Sequence, residues 1–288
     1  MNRMLMLLGC LAGVGLAMPA GSALAESRIE APGASVEARL WQALRLDEML
    51  VVMQDEALNQ GDEMAEMLFE QGSDAGWRKR VSAIHDPRRL SGLLHAALTE
   101  ALAEEPGELN RTALDFLEAP LGRQVVELEL QARRAIIDQD TEDGAIAAFQ
   151  QALDIEAPRL TTINRLIEGA DLLEPTIAAA LNEALAFSRG FGAEGGFTMP
   201  MTDAEMLEET WAQEPDIRAM IEEWLPAYLM LAYSPLSDED LARYVEFATS
   251  DAGKGLWSAV NGAYEEVYTA ISREMGAAAA LHIAGRQL

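Results

Sequence analysis

Cysteine occurs once in this chain, lysine twice and histidine three times, and runs that alternate β-branched with polar residues are nearly absent. Each scarcity closes off a class of function. The sole cysteine, Cys10, lies in an apolar leader, so the chain beyond the leader has neither disulfides nor thiol chemistry, which suits an oxidising compartment. Lys and Arg number 21 against 48 Asp and Glu, a net charge of −27. Such a field repels nucleic acid and anionic lipid, so no nucleic-acid partner is expected. No later stretch is apolar for long enough to cross a membrane, so no stable insertion is expected either. The three histidines are His85, His95 and His282. His85 and His95 are separated by about 15 Å of helical rise, too far to share one ion. They read as isolated surface or half-buried side chains. No H-E-x-x-H and no G-x-S-x-G occurs.

What is present begins with residues 1–25. Arg3, the apolar run from Met4 to Met18 and the small-x-small site Ala23-Leu24-Ala25 read as a signal peptide cleaved after Ala25. The expected location is periplasmic or secreted. Leu7-Leu8-Gly9-Cys10 resembles a lipoprotein box, but a cut there would leave too short a leader. Residues 26–35, with Pro32 and Gly33, read as a flexible lead. Hydrophobic residues make up 50% of the chain, so its charge does not imply disorder.

From residue 36 onward the apolar spacing is helical, and the expected fold class is all-α. Helices are expected from Val36 to about Leu58, over Met64–Leu68 and over Trp77–Ile84, and from Asp86-Pro87 to Pro106. Further on, Asp143-Gly144 opens a helix that Pro158 must kink or split. Gly190 to Gly196 reads as a loop, and Thr202-Asp203-Ala204-Glu205 as a capping box. A helix from about Asp216 to Tyr233 is interrupted near Pro226.

Two segments look like copies of one another. Gly107 to Arg123 aligns with Asp238 to Lys254 at a constant offset, pairing Glu108 with Glu239, Phe116 with Phe247, Gly122 with Gly253 and Arg123 with Lys254. Each reads as a helix, a break and a second helix, with the glycine–cation pair in the first turn of the second. Glycine there permits close approach of another chain, and the preceding phenylalanine suits a packing contact around the corner. A cation in a helix's first turn opposes the macrodipole, so Lys254 is expected to have a nearby acidic partner. More weakly, Glu56-Ala57-Leu58 matches Glu183-Ala184-Leu185, and Trp77 matches Trp211. The expected units are helical repeat 1, residues 36–141, and helical repeat 2, residues 142–288. The structural motif residues are Phe116, Gly122, Arg123, Phe247, Gly253 and Lys254.

No residue qualifies as catalytic, cofactor-binding or metal-ligating. Gly190, Gly192 and Gly195 spell a dinucleotide fingerprint, but a helix precedes them where that site needs a strand. Asp138 to Gly144 resembles a calcium loop with its glycine one place late and Phe149 where the last ligand belongs; it reads as a polar turn with Asp143 capping the next helix. Met49, Met53, Met64, Met67, Met199, Met201 and Met206 raise the question of copper, but their spacing favours apolar packing. Glu-Ser, which marks lytic peptidoglycan enzymes, occurs only at Glu26-Ser27. Trp211, Trp224, Trp257 and Tyr228, Tyr233, Tyr244, Tyr264 and Tyr268 concentrate in the second unit, so any site is best sought in residues 200–275.

The segment from Leu236 to Lys254 resembles the signature of the bacterial domain-of-unknown-function family 2059: an acidic helix, an aromatic before a turn, then Gly-Lys. Phe116 to Arg123 matches the turn through Pro120-Leu121-Gly122, where the second copy departs with Asp251-Ala252. Leu46 to Met53 is similar to the family's opening helix. The resemblance implies an exported, all-helical protein and no particular activity. The function expected is a non-enzymatic binding or scaffold protein of the cell envelope, its partner an unidentified envelope protein or ligand, with no cofactor. The alternatives are a hydrolase of an envelope polymer and a weak divalent-metal-handling protein.

Overall fold

Prolines and capping side chains punctuate the chain into helices. The computed structural model describes residues 35–286; the leader, residues 1–25, with Cys10, and residues 26–34 of the lead lie outside these. In order come α1 (Val36–Ala43), α2 (Leu46–Leu68), α3 (Ala75–Ile84), α4 (Pro87–Glu104), α5 (Gly107–Glu118), α6 (Pro120–Ala135) and α7 (Gln139–Asp154). These are followed by α8 (Pro158–Gly169), α9 (Leu173–Ala193), α10 (Asp203–Ala212), α11 (Glu214–Tyr233), α12 (Asp238–Ala248) and α13 (Asp251–Arg286). The fold is all-α, and no strand occurs among the described residues.

Several starts follow the expected chemistry. The Asp86 carboxylate accepts from the Arg88 and Arg89 amides at 3.0 and 3.1 Å, with Pro87 at the first helical position. Thr202 and Glu205 form a reciprocal capping box on α10. Pro158 splits the expected long helix into α7 and α8. Pro226, by contrast, sits inside an unbroken α11.

Three further expectations are corrected. The break in the first helix falls at Arg45, whose φ of 53° is left-handed, and α2 then runs unbroken to Leu68. No glycine or proline marks that bend. Leu40 and Leu44 on one side and Leu46 and Met49 on the other all reach the core across it. Asp138, not Asp143, caps α7, accepting from the Thr141 amide at 2.9 Å. Gly190 and Gly192 belong to α9 rather than to a loop. A Cβ on Gly190 would lie 1.9 Å from the Arg273 carbonyl, and one on Gly276 would lie 2.1 Å from the Phe187 carbonyl. These glycines let α9 and α13 touch backbone to backbone, so here glycine marks a tight helix crossing.

The main apolar core is shared by both halves of the chain. It takes Leu40, Leu50, Leu94, Leu117 and Val125 together with Ile217, Leu229, Val245, Val260 and Ile271. The 36-residue α13 runs through its middle, packing on α3, α4, α5, α9 and α12. A satellite core joins Ala65, Phe69, Trp77 and Val81 to Met275 and Ala279 of α13.

A buried polar layer as the candidate functional site

The two similar segments meet. The rings of Phe116 and Phe247 stack at 3.7 Å between centroids and 6° between planes. In each copy the residue three beyond the phenylalanine (Ala119 or Ser250) donates its amide to the phenylalanine carbonyl at 3.0 Å. The glycine lies against that same carbonyl: a Cβ would fall 2.1 Å away at Gly122 and 2.2 Å at Gly253. The glycine therefore packs on the phenylalanine's backbone, while the ring is left to face its counterpart. Pro120 opens α6. At the equivalent corner before α13, the Ser250 hydroxyl accepts from the Gly253 amide at 3.2 Å. The Arg123 guanidinium donates to the Glu118 carbonyl. Lys254 projects from the first turn of α13 and forms no ion pair among the described residues, although the Glu105 carboxylate lies against the adjacent Gly255.

Beneath this corner lies a buried layer of ionisable groups. Glu129 and Arg133, one turn apart on α6, both point into the core. Glu129 accepts from the Tyr233 hydroxyl at 2.5 Å and the Tyr244 hydroxyl at 3.0 Å. Arg133 donates to Glu56 of α2 at 2.8 Å. Glu183 of α9 is 2% exposed, and its Oε1 has no hydrogen-bond partner.

Burial is the dominant force on these carboxyls, because a charge in a dry interior is costly. It pushes Glu183 up to about 8, with Arg133 pulling it down and Glu265 pushing further up. It raises Glu129 to about 7, against the pull of its two tyrosine donors. Glu56 is also raised by burial, with Arg133 pulling it back. Burial likewise raises Tyr228, Tyr233, Tyr244, Tyr264 and Tyr268, so all five stay protonated, and Tyr233 and Tyr244 donate to Glu129. Burial therefore favours the protonated form of Glu183 at neutral pH and brings Glu129 into the neutral range.

Two small cavities touch the layer. One, of about 30 Å³, is lined by Gln60, His85, Glu183 and Ser272 among apolar neighbours. The other, of about 10 Å³, is lined by Glu129, Tyr233, Tyr244, Trp257 and Asn261. Either has room for water and neither for a sugar ring or a peptide.

The aromatic residues of the second half are mostly core. All five tyrosines, Trp224 and Trp257 are buried. Trp211 is the exception at 59% exposure, with Leu207 (42%) one turn before it on α10 and Met199 (78%) on the preceding loop. His85 and His282 are buried, a correction to their reading as surface or half-buried groups. The His85 ring bonds the Val81 carbonyl through Nδ1 at 2.9 Å, and His282 packs 4.5 Å from Phe69 and 5.6 Å from Trp77. His95 is exposed, beside Glu37 at 3.2 Å. Met49, Met53, Met64 and Met206 are buried, while Met67 faces solvent.

Among the described residues, no three His, Cys, Asp or Glu side chains converge as a metal site, and no helix is long and apolar enough to cross a membrane. No family model, curated protein or solved structure matches this chain. Glu56, Glu129, Arg133 and Glu183 are the residues that sequence reasoning missed. One signal could have found two of them: Glu129 and Arg133 sit in the otherwise apolar stripe Leu121, Val125, Val126, Leu128 and Ala132.

Proposed function

We infer that this is a non-enzymatic binding or scaffold protein of the cell envelope, exported by its signal peptide to the periplasm or beyond. It is built from two diverged copies, residues 36–141 and 142–288, of a helical unit akin to the domain-of-unknown-function family 2059. The matching corners at Phe116–Arg123 and Phe247–Lys254 support the duplication. The observation that carries the binding role is the exposed set Met199, Leu207 and Trp211, in a chain that buries every other tryptophan. A solvent-facing tryptophan with an exposed leucine one turn away on the same helix is the composition of a protein-docking spot. The test is a photo-crosslinking residue placed at position 211 in cells, with a control at Glu63 on α2. Binding predicts a discrete adduct from position 211, lost on Leu207→Glu and absent from the control. No adduct, or the same products from both sites, would overturn it.

The hydrolase reading has one observation in its favour, since carboxyls at about 7 and 8 suit general acid catalysis. It requires a substrate to reach Glu129 or Glu183 through cavities of about 10 and 30 Å³. Turnover of an envelope glycan that Glu129→Gln or Glu183→Gln abolishes would establish it. The metal-handling reading has no converging ligand set among the described residues to support it.

A further inference from the structure

We propose that the cavity between α2, α9 and α13 is a hydration site holding one or two long-lived water molecules, through which Glu183 exchanges its proton with solvent. The volume of about 30 Å³ fits that occupancy. The wall supplies the chemistry. Gln60 Oε1 and Glu183 Oε1 are both buried acceptors without a protein donor, and both residues line this one space. Water is the small molecule that can donate to two acceptors at once and still accept from a third group. The Ser272 hydroxyl can serve as that group. His85 has its Nδ1 proton committed to the Val81 carbonyl, and burial lowers its pKa, so it adds a neutral ring to the wall rather than a charge.

The site has an inner and an outer end. Glu183 is buried, whereas Gln60 and Phe187 on the same wall are partly exposed, so the proposed path to solvent runs past these two. The charges and titratable groups that Glu183 meets are Arg133 of α6, itself held by Glu56 of α2, and Glu265 and Tyr268 of α13. Arg133 is already paired, so it only partly offsets a carboxylate at 183. Proton uptake is what neutralises it, and the water file is the route by which that proton arrives.

Infrared spectroscopy of the full mature chain reads the protonated carboxyl directly. A carboxylic acid band lost in Glu183→Gln but retained in Glu129→Gln belongs to Glu183, and its transfer into D₂O is timed. Gln60→Leu removes the outer acceptor, and Ser272→Val fills the cavity. The proposal expects exchange of the Glu183 band to slow by roughly tenfold or more in either variant, since exchange must then wait for local opening of the fold. Water relaxation dispersion should lose at least one long-lived internal water in the same variants. Exchange as fast as in the parent, with the long-lived water count unchanged, would overturn the proposal. Should Ser272→Val fail to fold by circular dichroism, Gln60→Leu alone decides the matter.

Discussion

Glu56 and Glu183 hold matching places in the weakly aligned segments Glu56-Ala57-Leu58 and Glu183-Ala184-Leu185, on α2 and α9, and both carboxyls sit in the core within the field of one cation, Arg133. Their fates differ. Glu56 takes the guanidinium at 2.8 Å, while Glu183 has an oxygen without a partner and a cavity beside it. One cation cannot pair fully with two buried acids, so one acid is held by charge and the other by a proton. If the two halves descend from one unit, a single arginine on α6 has broken their equivalence.

The largest effect on that comparison should come from Arg133→Met, which leaves Glu56 as unpaired as Glu183. A loss of about 3–5 kcal/mol is expected in urea unfolding at pH 7; a loss below about 1 kcal/mol would mean that the pair does not separate the two glutamates. Next comes pH. A carboxyl at about 8 in the fold and near 4.5 when unfolded keeps its proton in the native state across that window. Its contribution therefore falls as pH rises from about 4.5 to 8 and is flat above. Glu183→Gln should remove a slope on the order of 2–4 kcal/mol between pH 5 and pH 8.5. Glu129→Gln should flatten the profile only up to about pH 7, its own limit. A Glu183→Gln profile parallel to that of the parent would refute a neutral acid at 183.

The two corners should behave alike where the two glutamates do not. Gly122→Ala and Gly253→Ala each push a methyl into a carbonyl, at 2.1 and 2.2 Å. Each should cost about 1–3 kcal/mol, and the two costs should agree. A large loss at one and none at the other would break the corner symmetry. The smallest effect expected is from Phe116→Leu, about 1 kcal/mol from the lost ring pair, and Phe247→Leu should match it in a double-mutant cycle.

Much of the helical layout was legible because it is written in local chemistry. Asp86-Pro87, the Thr202–Glu205 box and Pro158 act on their own neighbours, and each does so here. Arg45 bends the chain with no local mark: Leu40 and Met49, on either side of its left-handed φ, are both buried in a core built with helices far along the chain. Gly190 misled for the same reason: its cause is Arg273 on another helix. The motif residues could be named, but not the stacking of Phe116 on Phe247, because an alignment pairs equivalent residues without saying whether they touch. The polar layer was the least legible. In a chain with 48 acids, only Glu129 is set apart by its place in an apolar stripe; nothing comparable separates Glu56 and Glu183 from the rest.

The placement of α13 has a consequence for how the chain reaches its native state. This last helix is the central rod on which α3, α4, α5 and α9 rest, and Val260, Val267 and Ile271 sit at the heart of the main core. The faces of α3, α4, α5 and α9 that pack on it stay uncovered until it is in place. Docking of α13 therefore completes the main core and covers those faces together.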